Sequence, residues 1–262
     1  MLKVDLHLHT GDDPLDRLAH TAVELVDRAA RLGFDALAIT LHEIQFADSS
    51  VSAYARERGI TLIPGSERTI EGRHVLLLNF PAAAAESVRT LDELAYLKTR
   101  TGGLVIAPHP YFPGPTCLRR QLDAHPDLFD AVEWSYFWTR ATNFNARAAR
   151  WASAHGKPVV GNSDLHDLRQ LGRTYSLIDA PAGDPSAICD AIRAGRVTLH
   201  TEPVPVLELA GVLARIAQGM MSRLRPRSPP RASSASLSAG RRSRSWSGLW
   251  PRPGLPPMSH KP

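Results

Sequence analysis

The chain has 262 residues, 43% hydrophobic and 22% charged, which excludes a fully disordered or collagen-like protein and supplies one sizeable core. No apolar run approaches the ~18–20 residues of a membrane span, and two cysteines, Cys117 and Cys189, are too few for a disulfide scaffold, so a reduced, cytoplasmic protein is expected. The formal charge of +5 is misleading: residues 211–262 hold ten of the 31 Lys and Arg and no Asp or Glu, leaving 1–210 with 21 basic against 26 acidic side chains and no basic surface for long nucleic acid.

Lys3–Leu8 alternates Val4, Leu6 and Leu8 with Lys3, Asp5 and His7, the period of a strand. His20–Leu32 places Ala22, Val23, Val26, Ala29 and Ala30 on one helical face, and Gly33 stops it. Strand signals follow at Ala36–Thr40, Ile60–Ile63 (closed by Pro64-Gly65), His74–Phe80 and Gly103–Ala107, with helical patterns through Tyr54–Arg58 and Leu91–Thr101. Cys117–Ala124 reads as a short helix, Ala131–Trp134 as a strand and Asn143–His155 as a long helix. Strands at Pro158–Val160 and Tyr175–Ile178, a helix at Pro185–Ala194 and a strand at Arg196–His200 complete a body spanning 1–205.

This alternation predicts a parallel α/β architecture, and a small barrel fits it better than an open sheet. No Gly-rich phosphate loop follows the first strand, which argues against a nucleotide-binding Rossmann unit. Val206–Ala217 predicts a terminal helix within 206–220. Residues 221–262 form a basic Ser, Pro and Arg-rich tail that cannot bury enough apolar area to order itself; it reads as a solvated, disordered tail, ahead of weak RNA or acidic-lipid contact.

Histidines carry the chemical signal. His7 and His9 flank Leu8 on a strand, so both rings project from one face, where two imidazoles can chelate one divalent ion. Asp5 shares that face as a supporting or bridging carboxylate. His42 follows the second apolar run, Glu67 the third and His109 the fifth, within Pro108-His109-Pro110; Asp164 and His166 follow the strand at 158–160. In a parallel barrel these strand ends converge on one rim, where so many imidazoles and carboxylates have little reason to meet except metal. Glu133 ends a strand on the same rim and is a candidate for polarising a ligand or a substrate hydroxyl, whereas Asn145 reads as a helix-start residue. His20, His125, His155, His200 and His260 have no partner motif and read as surface or capping residues.

His7-Leu8-His9, Thr40-Leu41-His42, Gly65-Ser66-Glu67, His74, Pro108-His109-Pro110 and Asn162-Ser163-Asp164-Leu165-His166 together resemble the motifs of the PHP (polymerase and histidinol phosphatase) family. The resemblance implies a distorted (β/α)7 barrel, two or three divalent metal ions (Zn, Mn, Fe or Mg) and phosphoester hydrolysis. It carries metal-ligand roles to His7, His9, His42, Glu67, His74, His109, Asp164 and His166, with Glu67 bridging two ions. A further ligand shortly after the His-X-His falls on Asp13, with Asp12 the alternative. Two features depart from the pattern. Leu41 stands where the family has an aspartate beside the histidine, leaving Glu43 as a substitute from the other side. His74 opens its apolar run instead of closing it.

The expected function is metal-dependent hydrolysis of a small phosphorylated metabolite or nucleotide by water that the metals activate. Asp164 or His166 would relay the leaving-group proton, and Arg140 and Arg173, ahead of Arg68, are candidate phosphate clamps. Leu41 is the main argument for the alternative of a non-catalytic metal-binding barrel or interaction module. An amidohydrolase-type C–N hydrolase would bridge its metals with a carboxylated lysine, yet none of Lys3, Lys98, Lys157 and Lys261 closes a predicted strand on the rim.

Overall fold

The structure, a computed structural model, describes residues 1–223; the expected tail therefore lies outside the described residues except for 221–223, which extend the terminal helix. The elements run β1 (Leu2–Leu8), α1 (Ala22–Arg31), β2 (Ala36–Ile39), α2 (Ser49–Glu57), β3 (Thr61–Leu62), β4 (Gly65–Ile70), β5 (Arg73–Leu78) and α3 (Ala82–Ser87). They continue with α4 (Leu91–Thr101), β6 (Leu104–Ala107), α5 (Arg120–Ala124), β7 (Ala131–Ser135), α6 (Asn145–Ala154) and β8 (Val159–Asn162). β9 (Thr174–Ile178), α7 (Pro185–Arg193), β10 (Val197–Thr201) and α8 (Val206–Arg223) complete the described chain. No helix among the described residues is long and apolar enough to cross a membrane.

Local chemistry sets the helix ends. Thr21 and Glu24 form a reciprocal capping box on α1, and Thr90 with Glu93 does the same on α4, which Gly102 ends in a left-handed conformation. Asp184 caps α7 just ahead of Pro185, whose missing N–H costs nothing at that position.

The expected α/β class holds, but the strands do not close a barrel by a continuous ladder among the described residues. They form two five-stranded mixed sheets, ordered β10-β9-β1-β2-β3 and β4-β5-β6-β7-β8. β9 runs antiparallel to both β1 and β10, and β5 runs antiparallel to both β4 and β6. Side chains and single bridges join the sheets at their seams. The Ser176 hydroxyl accepts from the Gly161 N–H at 2.9 Å and donates to the Gly161 carbonyl at 3.2 Å, taking the place of a backbone ladder between β8 and β9. On the other side, the Glu67 N–H donates to the Leu41 carbonyl and the Glu43 N–H to the Glu67 carbonyl.

Both faces of most strands are buried, which explains their near-continuous apolar runs. Val4, Leu6, Ala36, Ala38, Leu76, Leu78, Leu104 and Ile106 point into a core between the sheets, closed below by Ile188, Ala191 and Ile192 of α7. The alternate residues pack outward: Leu37 and Ile39 against α1 and α2, Val75, Leu77, Val105 and Ala107 against α4 to α6. Leu41 belongs to this outer packing at 2% exposure, a core position and not a polar one.

Two elements escaped the sequence pattern. β4 reads GSERTI, too polar to signal a strand, and it pairs with β5 through a tight turn at Glu71 and Gly72, both with positive φ. α3 is a six-residue Ala-rich helix behind Pro81 with no side-chain cap.

Candidate metal centre

Glu67 is the hub of a buried cluster. Its Oε2 lies 3.3 Å from His7 Nε2, 3.4 Å from His9 Nε2 and 3.2 Å from His42 Nε2. Its Oε1 lies 2.7 Å from His74 Nδ1 and 3.3 Å from His109 Nε2. Asp164 Oδ1 adds a second carboxylate at 3.4 Å from His7 Nε2 and 3.6 Å from His9 Nε2. His7 Nε2, His9 Nε2 and His74 Nδ1 are buried without a well-directed hydrogen bond although carboxylate oxygens face them. Such lone-pair-bearing nitrogens, aimed with carboxylates at shared points, are the donor set and arrangement a divalent cation requires. Among the described residues, four overlapping subsets draw together closely enough to hold an ion: His7, His9 and Asp164; His42, Glu67 and His74; His7, His109 and Glu133; and His9, Asp13, Asp16 and His42.

The fold explains why these residues meet. His7 and His9 end β1, His42 follows β2, His109 follows β6, and Asp164 and His166 follow β8, all at C-terminal strand ends. His74 begins β5, but β5 runs antiparallel to its neighbours, so its N-terminal end reaches the same rim. Its inverted position in the sequence pattern is thereby accounted for. His109 and Asp164 adopt φ of 29° and 46°, a left-handed conformation that non-glycine residues rarely take and that turns their side chains into the cluster.

A further set of buried carboxylates fixes the rings. Glu133, fully buried, accepts from His7 Nδ1 at 2.9 Å, from the His109 N–H at 2.7 Å and from Asn162 Nδ2 at 3.0 Å. Asp13 Oδ2 accepts from His9 Nδ1 at 2.9 Å, while its Oδ1 receives the backbone N–H groups of Leu15 and Asp16. Such partners set the tautomer of a ligating imidazole and leave the opposite nitrogen free for metal. Asp5 is buried too, but its oxygens receive the N–H groups of Ser163 and His7, so it ties β1 to the segment after β8 and supports no ring directly. Asn145 exchanges hydrogen bonds with the Ser135 backbone, a structural role at the start of α6.

Electrostatics divides the imidazoles. Burial opposes charge on His7, but Asp164, Glu133 and Glu67 outweigh it and push the ring up to about 10. His9 and His109 are likewise raised against burial, by Asp13, Asp164 and Glu67 in one case and by Cys117 and Glu67 in the other. Against burial, the surrounding rings hold Glu67 and Asp164 well below the usual carboxylate range. His166 goes the other way: burial pushes it down to about 4.

The sequence missed Asp16. Its Oδ2 lies 3.1 Å from His166 Nε2 and 3.6 Å from His42 Nδ1, forming a carboxylate corner on the far side of His42. No periodicity distinguishes it from Asp12 and Asp13; Asp12 is exposed and accepts only from the Thr10 hydroxyl among the hydrogen bonds of its side chain. Glu43 does not substitute beside His42, because its carboxylate faces the Thr69 N–H and Arg68 Nε. The arginines are not brought into the cluster. Arg68 is buried against the Ala85 and Val88 carbonyls, Arg173 Nη2 pairs with Glu208 at 3.1 Å, and Arg140 is exposed. Lys3 and Lys98 are engaged by the Leu32 carbonyl and Asp130, away from the cluster.

A cavity of about 670 Å3 opens over the cluster, with His42, Glu67, His74, His109, Asp164 and His166 at its floor. Its walls are the segments around Phe112 and Phe144 and one face of α8.

An α/β fold that gathers buried imidazoles and carboxylates on one rim defines a candidate divalent-metal protein. Residues 142–197, which contain Asp164 and His166, match the PHP_C family, described as PHP-associated. The fold is similar to that of a two-domain protein from Bacteroides vulgatus containing a predicted PHP-like metal-dependent phosphoesterase, at TM-score 0.60 and 20% identity over 82% of this chain and 69% of that one. It is similar to PsfC from Pseudomonas syringae, at TM-score 0.58 and 17% identity over 85% and 98% of the two chains. The lesion-specific endonuclease PfuEndoQ from Pyrococcus furiosus is a third, at 0.51 and 18% over 76% and 57%. No curated protein matches the sequence. The resemblance read from the motifs is supported: residues 142–197 match a PHP-associated family, and the fold is similar to that of a protein containing a PHP-like domain.

Proposed function

We propose that the cluster is the centre of a metal-dependent phosphoesterase acting on a small phosphorylated substrate. The observation that carries this reading is the convergence of five imidazoles on the single carboxylate of Glu67, at 2.7 to 3.4 Å. In this reading His7, His9, Glu67 and Asp164 would hold one ion, Glu67, His74 and His109 a second, and Asp16, His42 and His166 a third. Asp13 orients His9 and His42 in place of the direct ligand role that the sequence pattern gave it. The PHP-like phosphoesterase and the endonuclease among the similar structures support the reaction class.

Divalent ions bound there supply the acidity that activates water and neutralise charge on the phosphoryl oxygens. The water oxygen joins phosphorus as the ester P–O bond breaks, and the two protons of water end on the leaving alkoxide and the phosphate. The Nδ1–H of His166 donates to the Asp164 carbonyl at 2.8 Å, which leaves Nε2 free to face the third ion. Glu133 keeps His7 oriented through Nδ1, so that Nε2 faces inward throughout.

The test is elemental analysis of the purified chain together with p-nitrophenyl phosphate turnover after reconstitution with Mn2+ or Zn2+. Two or three ions per chain and metal-stimulated turnover that Glu67→Gln abolishes are expected. Fewer than one ion per chain, or turnover indifferent to metal and to Glu67→Gln, overturns the reading.

A further inference from the structure

Above its floor the cavity is walled mainly by apolar side chains, with the uncharged Thr116, Thr139 and Thr142 among them. Phe112, Phe137 and Phe144 line it from two chain segments, and Leu209, Leu213 and Ile216 line it from α8 at helical spacing. Among the described residues, no Lys or Arg lines it. Leu213 is 50% exposed and Phe144 38%, and the Phe112 and Phe144 rings pack with centroids 5.4 Å apart, so the wall keeps a large apolar surface uncovered.

This wall is held in place by polar contacts on its flank. The Glu208 carboxylate accepts from the Tyr136 hydroxyl at 3.0 Å and pairs with Arg173 Nη2 at 3.1 Å. Arg215 Nε, two turns further on, lies 2.7 Å from Asp167 Oδ2. Arg173 and Arg215 are thus committed to carboxylates, and α8 is anchored with its apolar stripe facing the imidazole and carboxylate rim.

We infer that the site takes phosphoesters whose organic group is uncharged and apolar, of about aryl size, seated between α8 and the Phe112 and Phe144 segments while the phosphoryl group meets the cations that Glu67, His109 and Asp164 would hold. The inference rests on the phosphoesterase reading and narrows its substrate class. A second phosphate or a long polynucleotide would meet apolar walls with no cation to pair it, at the cost of desolvating its charge. An aryl group would instead leave water for a surface already formed to receive it.

The test compares phenylphosphonate with methylphosphonate, neither of which can be hydrolysed, by calorimetry on the full chain loaded with Mn2+. Phenylphosphonate is expected to bind at least about tenfold tighter, the scale on which apolar contacts of this size discriminate. Leu213→Lys, at a half-exposed position where folding is not at risk, is expected to bring the two affinities within about twofold, and Leu213→Met to preserve the difference. Equal affinities in the unaltered chain, or a preference unmoved by Leu213→Lys, overturn the inference. Turnover of phenyl phosphate and glycerol phosphate, measured in parallel, separates the two readings. Hydrolysis of both esters without phenyl preference sinks the substrate class alone. Phenyl-selective binding without hydrolysis of either supports the ligand class and sinks the phosphoesterase.

Discussion

Asp13 Oδ2 receives both the backbone N–H of His42, at 2.9 Å, and its Nδ1, at 3.0 Å. The aspartate that the sequence lacks at Leu41 is thereby replaced from the first loop, 29 residues away. Because the same oxygen also orients His9, Asp13 governs two rings at once. Asp13→Asn is expected to weaken metal binding by about 10–100-fold, the usual effect of removing an outer partner of a ligating imidazole. Competition with a chromophoric chelator measures it, and Glu43→Gln, whose parent carboxylate faces Arg68, serves as the unaffected comparison.

Asp16 makes a separate prediction. If it forms a corner with His42 and His166, Asp16→Ala lowers the metal content by one ion while leaving those centred on Glu67 in place. Elemental analysis of the variant reads this directly. An unchanged content removes Asp16 from the ligand set.

Metal uptake is expected to release protons. His7, raised to about 10, and the likewise raised His9 and His109 carry charge near neutrality in the metal-free protein, and each must lose its proton to ligate. Apparent affinity therefore climbs with pH across the neutral range. Titrating Zn2+ in two buffers of different ionisation enthalpy gives the number released, expected to be more than one per chain.

Asp5 sets a pH dependence of stability. Burial pushes its carboxyl up to about 7 against the opposing pull of the Ser163 and His7 contacts, whereas the unfolded side chain titrates near ~3.9. Between those values the folded state keeps a proton that the unfolded state has lost, so stability falls as pH rises and the loss is complete above about 7. Asp5→Asn retains an acceptor for the Ser163 N–H and should stabilise the metal-free protein at pH 8, by on the order of a few kcal/mol. Urea midpoints at pH 5 and pH 8 check this, and a variant no more stable than its parent at pH 8 refutes it.

Gly161 marks where β8 comes closest to the other sheet. A Cβ there would lie 2.5 Å from Leu199 Cδ1 and 2.7 Å from the Tyr175 carbonyl oxygen, the latter a backbone atom that cannot swing aside. Gly161→Ala is expected to cost about 1–3 kcal/mol, read as a lowered denaturation midpoint.

Much of this was legible in the sequence because the strands are buried on both faces and end in ligands. Val75–Leu78 and Leu104–Ala107 are uninterrupted apolar runs, and His42, His109 and Asp164 follow such runs where side chains turn toward a common rim. β4 was hidden for the converse reason. It carries Glu67 and Arg68 into buried positions, so the residues that make it functional erase its apolar period. Sheet closure was not legible because a parallel and an antiparallel strand present the same alternation, and only pairing reveals that β5 and β9 run backward. Arg173 looked available as a phosphate clamp, but its partner Glu208 lies on a helix that local sequence cannot bring to it. Asp16 stayed invisible since only the path of the loop after β1 separates it from its acidic neighbours.

The reversed direction of β5 has one more effect. Since Glu67 and His74 sit on opposite arms of a hairpin, its tip at Glu71-Gly72 projects past the metal-ligand rim and belongs to no other element. Lengthening that tip would add chain to the mouth of the active face at little entropic expense and without shifting the framework. It is the point at which this architecture can acquire a new recognition loop while the ions stay where they are.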